Sequence, residues 1–234
     1  MALSGVVLVG FVIGHMAGNL QMFLPPEYIN RYAYKLQSLG PLLWGIRLFL
    51  LLCIGIHIIT AILLVKENRA ARPQKYTTEK SVQASFSSRV MPMSGLIVLF
   101  FLIYHLLHYT VKLTHPEFKE LSYKLPEVPH LVHDVYSMVA VGFSVKYWYV
   151  SLFYILATGL LCSHLSHGMS SMFQSLGFRN EKWRYRLSRS AIVSVWVIFT
   201  GFAILPIAGL LGWIQPLNAE KLATNYTISN KESP

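Results

Sequence analysis

Four histidines lie deep inside four different apolar stretches of this 234-residue chain: His15, His57, His105 and His164. An ionisable side chain in a membrane is costly, so each of the four requires a compensating partner or function. Imidazole is a common metal ligand, and the iron of a b-type haem takes one imidazole on each face of the macrocycle. Two such histidines at one level, on different helices, would therefore suit a haem.

The stretches that carry the histidines are long enough to cross a bilayer, which takes about 20 residues. Only 13% of the residues are charged and 54% are hydrophobic. No sizeable soluble domain remains, so the whole chain, 1–234, is predicted to be one all-α domain, because helices satisfy their own backbone groups in lipid. The five predicted transmembrane helices are near 1–23, 42–65, 92–113, 147–173 and 190–215.

Cysteine content and the first apolar stretch exclude other classes. Cys53 and Cys162 both lie within predicted spans, so neither a disulfide framework nor a thiolate metal site is expected. The first stretch has no basic n-region and no small-residue cleavage site, which excludes a signal peptide. It begins at Met1 without a basic flank, and we expect that a short N-terminal segment is missing.

The net charge of +10 is distributed unevenly between the two sides of the predicted bundle. The loops 66–89 and 179–189 together carry eleven Lys and Arg against three acids, whereas the opposite side carries eight against seven. Basic loops stay in the cytoplasm, so the N-terminus is predicted inside and the C-terminus outside. The charge therefore reports topology rather than nucleic-acid binding, and docking of an acidic soluble partner is a secondary interpretation.

This orientation sorts the four histidines into two levels. At 1.5 Å per residue, His15 and His105 lie roughly 21 Å and 20 Å from the cytoplasmic ends of their helices. His57 and His164 lie roughly 22 Å and 25 Å from the outer ends of theirs. In a core of about 30 Å, His15 and His105 share an outer level, and His57 and His164 share an inner level.

Two such pairs predict two b haems, one above the other, although a buried histidine taken alone is commonly just a hydrogen-bonded interior residue. Small residues beside the ligands would make room for the macrocycles: Gly14, Gly18, Gly55, Gly159 and Gly168. Ordinary helix packing explains such glycines equally well. His108 and His167 each follow a candidate ligand by three residues on the same helix face, so spacing alone leaves either member of each couple as the ligand.

The chain resembles the dihaem cytochrome b membrane anchor of succinate dehydrogenases and fumarate reductases, the five-helix type with a single anchor subunit. The resemblance covers nearly the whole chain. It is carried by Met1-Ala-Leu-Ser-Gly leading to His15-Met-Ala-Gly-Asn-Leu20, Leu43-Trp-Gly-Ile-Arg47 with His57, Ser88-Arg89 before Met93-Ser-Gly95, Tyr104-His-Leu-Leu-His108, and His164-Leu-Ser-His-Gly168 followed by Ser175-Leu-Gly177.

The resemblance implies that His15 and His105 hold a distal haem near the outer face, and that His57 and His164 hold a proximal haem near the cytoplasm. It favours His105 over His108 as the ligand. It likewise favours His164 over His167.

The resemblance also implies partners and a direction of electron flow. A flavoprotein subunit and an iron–sulfur subunit would dock on the cytoplasmic side. Electrons would pass from the iron–sulfur clusters through the proximal and distal haems to a quinone, for which menaquinone is the family's usual partner. This chain would then be the anchor, the electron conduit and the quinone-reactive subunit in a bacterial or archaeal cytoplasmic membrane, with no dicarboxylate site of its own.

Several further side chains are candidate cofactor contacts. Arg47 lies about five residues inside the second span, where it suits a distal-haem propionate or snorkels to the interface. Arg89 suits a proximal-haem propionate or flanks its span as a topology signal. His108 and His167 are the remaining cofactor-binding candidates.

Quinone reduction takes up two protons and therefore needs hydrogen-bond donors near the outer haem. The stretch 129–143 reads as a short amphipathic helix in the outer loop. An interfacial helix with an aromatic belt explains the same residues. The candidates for an outer quinone pocket are Tyr32, Gln37, Trp44, His130, His133 and Asp134.

Two other functions fit parts of this pattern. The cytochrome b subunit of a hydrogenase or formate dehydrogenase also carries two haems, but one ligand on each of the first four helices favours the succinate type. A haem-free transporter with a histidine relay predicts internal repeats or matched helix breaks, and none is evident in the sequence.

Overall fold

The computed structural model describes residues 1–71, 90–177 and 181–217 of the chain. Its long helices are α1 (Ala2–Asn19), α3 (Pro41–Ala70), α4 (Met91–His105), α6 (Trp148–Ser175) and α7 (Glu181–Leu210). Helix α1 continues as a 3-10 turn over Leu20–Phe23, and α4 continues as a π-helical segment over Leu106–Thr110. Helix α6 is preceded by a 3-10 turn over Val145–Tyr147.

Within the described part of the chain, five helical segments are long and apolar enough to cross a membrane, so the chain has the character of a multi-pass membrane protein. Their bounds are Ala2–Phe23, Pro41–Ala70, Met91–Thr110, Val145–Ser175 and Tyr185–Leu210. Each overlaps one of the five spans predicted from the sequence. Pro206 lies inside α7 without ending it, as happens in membrane helices.

The segments between the spans contain shorter elements that the hydropathy pattern does not predict. Helix α2 (Pro26–Ser38) follows the first span, with Glu27 in its first turn and Lys35 in its last, where both complement the helix dipole. After α4 come a 3-10 turn (Pro116–Glu120), a two-stranded antiparallel hairpin of β1 (Ser122–Tyr123) and β2 (Val132–His133), and helix α5 (Val135–Gly142).

The prediction of an amphipathic interfacial helix over 129–143 is wrong in extent and in character. Residues 129–134 are not helical, and β2 within them pairs with β1 through Tyr123↔Val132 and Ser122↔His133. The helix that follows is eight residues long and buried over Ser137–Gly142, so it has no polar face toward an interface.

The chain divides into two compact units. The described residues of the first lie within Met1–Ala17, Leu39–Tyr104 and Leu156–Gly201. The described residues of the second lie within Gly18–Ser38, His105–Ile155 and Phe202–Pro234.

The tryptophans lie on the protein surface. Each of the five tryptophans in the chain exposes more than two fifths of its surface. They are Trp44, Trp148, Trp183, Trp196 and Trp213. Large exposed aromatic side chains on apolar helices are expected where lipid rather than protein surrounds them.

Candidate functional site

In the first unit, α3 and α6 bring His57 and His164 together. Their ring centres are 6.4 Å apart and their ring planes are inclined by 64°. Two metal–imidazole bonds of about 2.0–2.1 Å, with about 1 Å from each bonded nitrogen to its ring centre, separate two axial rings by roughly 6 Å. The observed spacing therefore fits one metal ion between the two imidazoles.

A serine from a third helix holds His57, and a serine from a fourth holds His164. Ser4 Oγ on α1 is 3.4 Å from His57 Nδ1, and Ser94 Oγ on α4 is 3.2 Å from His164 Nδ1. With Nδ1 engaged by a serine, Nε2 is the ring nitrogen left for a metal. Both serines were missed in the sequence, because a serine in a membrane helix is ordinary.

Glycines follow both serines and face the same rings. A Cβ added at Gly5 would be 3.8 Å from Cε1 of His57, and one added at Gly95 would be 3.3 Å from Cε1 of His164. At Gly14, Gly55 and Gly168, by contrast, a Cβ would meet no atom within 4 Å. Glycine thus lets α1 and α4 approach the two rings closely, and it leaves open space next to the candidate ligands.

The two histidines that follow the candidate ligands have different surroundings. His167 Nε2 is 3.1 Å from Ser171 Oγ, one turn later on its own helix α6. His164, three residues earlier, is the member of this couple whose ring lies beside His57. His15 belongs to the same unit and stacks on Phe11, with ring centres 5.4 Å apart and planes 16° apart.

Arg47 and Trp44 interact with each other one turn apart on α3. The guanidinium carbon of Arg47 lies 5.0 Å above the centre of the Trp44 ring, a cation–π geometry. Both side chains are exposed, which suits the snorkelling interpretation of Arg47. Arg89, the other candidate propionate partner, lies outside the described residues.

In the second unit, one tyrosine joins His105 and His108. Tyr154 OH is 3.3 Å from His105 Nδ1 and 3.0 Å from His108 Nδ1. The α-helical hydrogen-bond pattern changes to a π pattern directly after His105, over Leu106–Thr110, and such irregular turns are frequent at functional sites. Tyr154 was not predicted as a site residue, because only the fold brings its hydroxyl to both rings.

The two histidines differ in burial. His108 is fully buried and stacks on Tyr109, with ring centres 4.0 Å apart, and lies 5.0 Å from the ring of His115. His105 is half-buried. His115 Nδ1 is 2.9 Å from the carboxylate of Glu117, so this cluster joins titratable side chains from α4, the π segment and the following 3-10 turn.

Asp134 has a structural role at the start of α5. Its Oδ1 accepts hydrogen bonds from the backbone N–H of Ser137 and from the side-chain amide of Asn30, both at 3.0 Å. Asn30 Oδ1 accepts from the N–H groups of Val135 and Tyr136. Asp134, with only 2% of its surface exposed, is therefore the cap of α5.

His133 forms a polar pair with Lys112 at the end of the third span. Lys112 Nζ donates to His133 Nε2 at 2.8 Å, and His133 Nδ1 donates to the carbonyl of Leu121 at 3.0 Å. Burial lowers the pKa of His133, and the neighbouring Lys112 lowers it further. Burial also lowers the pKa of Lys112. The backbone of Lys112 has a positive φ of 57°, where the chain leaves the span. The imidazole is therefore neutral and its tautomer is fixed by its two partners.

The remaining quinone candidates are more exposed. Tyr32 and Gln37 lie on α2. The ring of Tyr32 packs closely against Gly18, where a Cβ would be only 3.0 Å from the ring. His130 is exposed and meets the ring of Tyr34 edge-on at 5.9 Å. Tyr32 and His130 contact different residues of the second unit, Gly18 and Tyr34. Trp44 belongs to the first unit.

Among the residues described by the structure, no group of three or more His, Cys, Asp or Glu side chains is placed to hold a metal. A porphyrin supplies four nitrogen ligands of its own, so its iron needs only the two imidazoles that α3 and α6 provide.

Comparisons of this chain with protein-family models, with curated proteins and with solved structures find no match.

Proposed function

We propose that the chain is a haem-b-binding membrane anchor that conducts electrons to a quinone in a succinate:quinone oxidoreductase. The observation that carries the proposal is the pair His57 and His164. Their ring centres are 6.4 Å apart, and each Nδ1 has a serine partner on another helix. A bis-histidine haem requires two imidazoles from different helices at this spacing.

The assignment to the succinate type rests on the sequence. The four candidate ligands lie on four different spanning helices, one on each of α1, α3, α4 and α6. This distribution, together with the ordered motifs around each histidine, resembles the dihaem anchors of succinate dehydrogenases and fumarate reductases. The flavoprotein, the iron–sulfur subunit, menaquinone, and the cytoplasmic side of docking are inferred from that resemblance and from the positive-inside charge pattern.

The residues of this chain would have distinct tasks. His57 and His164 would bind the iron of the proximal haem, and His15 and His105 that of the distal haem. A bound b haem supplies a one-electron carrier between the iron–sulfur subunit and the quinone. Ser4, Ser94 and Tyr154 would orient imidazoles, while the apolar spans exclude water and hold the stack in the membrane.

The first experiment is a reduced-minus-oxidised spectrum of the complex purified from membranes. We expect b-type bands that titrate in two redox steps, and reduction of both by succinate in the intact complex. Replacing His57 or His164 with alanine should remove one haem and spare the other. His167→Ala, three residues further along α6, is the matched control and should retain both haems.

Three results would contradict the proposal. A purified wild-type complex without b-type haem would exclude the central function. Two normal haems in both His57→Ala and His164→Ala would show that these residues are not axial ligands. Haem reduction by hydrogen or formate, with no response to succinate, would point to another quinone-linked dehydrogenase.

A further inference from the structure

The two serines that contact His57 and His164 have the same local geometry. Ser4 Oγ donates to the carbonyl of Met1 at 2.8 Å, and Ser94 Oγ donates to the carbonyl of Met91 at 3.1 Å. Each hydroxyl hydrogen is thus donated to a backbone carbonyl three residues earlier in the chain. The hydroxyl oxygen then faces an imidazole as an acceptor, which assigns the proton of the imidazole to Nδ1.

This assignment fixes the tautomer of both rings. An imidazole protonated at Nδ1 has its lone pair at Nε2, which is the form that binds a metal. A hydrogen bond from Nδ1–H to an acceptor also restrains the ring plane and raises the basicity of the ligating nitrogen. The two serines would therefore restrain the ring planes of His57 and His164 and raise the basicity of their ligating nitrogens.

The same residues recur with the same spacing in two helices. Methionine, two residues, Ser-Gly, nine residues and histidine occur as Met1 to His15 and again as Met91 to His105. In α1 the serine and the histidine are eleven residues apart, which is about three helical turns or about 16 Å, so they lie on nearly the same face. The same face of α1 thus carries the Ser4 hydroxyl at the inner level of histidines and the His15 imidazole at the outer level.

We propose that Ser4 and Ser94 are positioning residues for His57 and His164, and that each belongs to a twice-used Met-x-x-Ser-Gly-x9-His motif serving both levels of histidines. The inference rests on the proposed haem function. It adds that the inner ligands depend on hydroxyl groups contributed by the two helices that carry the outer ligands. It also assigns the adjacent glycines, Gly5 and Gly95, to the close approach that the serine contacts require.

The test uses the intact complex and the substitutions Ser4→Ala and Ser94→Ala, with Ser4→Thr and Ser94→Thr as conservative variants. Ser166→Ala is the matched control, because Ser166 lies two residues after His164 and its hydroxyl donates to the carbonyl of Ser163 in the same helix. The measurements are haem content, low-spin EPR g-values, and the midpoint potential of the redox step that is missing in His57→Ala.

We expect the alanine variants to raise the potential of that step and to change its EPR g-values. A less basic imidazole stabilises the oxidised iron less, and a tenfold change in relative affinity for the two oxidation states corresponds to 59 mV for one electron. The affinity for haem should fall by about 10- to 100-fold, the usual cost of removing a hydrogen-bond partner of a ligating histidine. The threonine variants and Ser166→Ala should keep the wild-type potential.

The outcomes separate this inference from the proposed function. If the wild type binds no b haem, the function itself fails before any variant is made. If the wild type binds two haems and both alanine variants keep the inner potential and g-values of Ser166→Ala, the serines do not position the ligands and the inference is wrong. If an alanine variant loses the haem altogether, retention in the matching threonine variant supports the inference, and loss in both contradicts it.

Discussion

Replacement of Asn30 by leucine should loosen α5 while leaving the first unit intact. The Asn30 side chain is fully buried and makes three hydrogen bonds. It donates to Asp134 at 3.0 Å and accepts from the N–H groups of Val135 at 2.7 Å and Tyr136 at 3.1 Å. Those N–H groups belong to the first turn of α5 and have no partner within the helix.

The magnitude follows from the three bonds. A neutral hydrogen bond contributes about 1 kcal/mol net and one to a carboxylate about 1.5–3 kcal/mol. Leucine has similar volume but satisfies none of the three groups, so Asn30→Leu should cost about 3–5 kcal/mol of local stability. Since about 1.4 kcal/mol is a factor of ten, the amides of α5 should exchange at least a hundred times faster when exchange reports local opening.

Hydrogen–deuterium exchange with mass spectrometry on the protein in nanodiscs measures this directly. Gln37→Leu is the control, because Gln37 lies on the same helix α2 with an exposed side chain. Peptides covering Val135–Gly142 should lose protection in Asn30→Leu, and peptides from α3 should not change. If protection of Val135–Gly142 is the same in Asn30→Leu and Gln37→Leu, the hydrogen-bond network does not stabilise α5 and the reasoning is refuted.

Two further predictions concern helix packing and pH. A Cβ at Gly209 would overlap a backbone carbonyl oxygen, whereas one at Gly201 would overlap only a methionine thioether that can move. Gly209→Ala should therefore lower the thermal stability in detergent by about 1–3 kcal/mol of overpacking, and Gly201→Ala should cost less than 1 kcal/mol; equal midpoints for the two would contradict this. Folding lowers the pKa of His133 below its ordinary value of 6.5. The neutral imidazole therefore contributes its full stability above about pH 6.5, and this stability is lost as the pH falls through the lower pKa of the folded protein. Acidification should thus break its contact with Lys112 and speed tryptic cleavage there, and His133→Gln should abolish that pH dependence; an acid response that persists in His133→Gln would assign it to another group.

The sequence predicts the spanning helices because each carries a continuous apolar stretch whose length matches a bilayer. It also predicts that His57 and His164 share a level, since rise per residue and charge topology suffice for depth. It does not predict which neighbouring helix faces each ring, and this is why Ser4 and Ser94 were overlooked. The repeated Met-x-x-Ser-Gly-x9-His spacing is present in the sequence, but only the contacts of the two serines with the imidazoles indicate its role.

The loop structure was less accessible for a different physical reason. The segment 129–143 has a pattern compatible with an amphipathic helix, but pairing with β1 keeps its first part extended. The carboxylate of Asp134 then caps α5, and the amide of Asn30, more than a hundred residues earlier, completes the cap. Such a long-range contact has no local signal in the sequence, so the stabilising role of Asp134 and Asn30 emerges only from the fold.

The exposed tryptophans give the protein built-in optical probes of its surroundings. Because all five indoles lie on the surface, their emission reports the lipid or detergent next to each helix rather than the interior packing. Lipids brominated at a known acyl carbon quench a nearby indole according to depth, so single-tryptophan variants would read the immersion of individual helices. Trp196, in the middle of the last span, and Trp44, near one end of the second, should be quenched most strongly by labels at different depths.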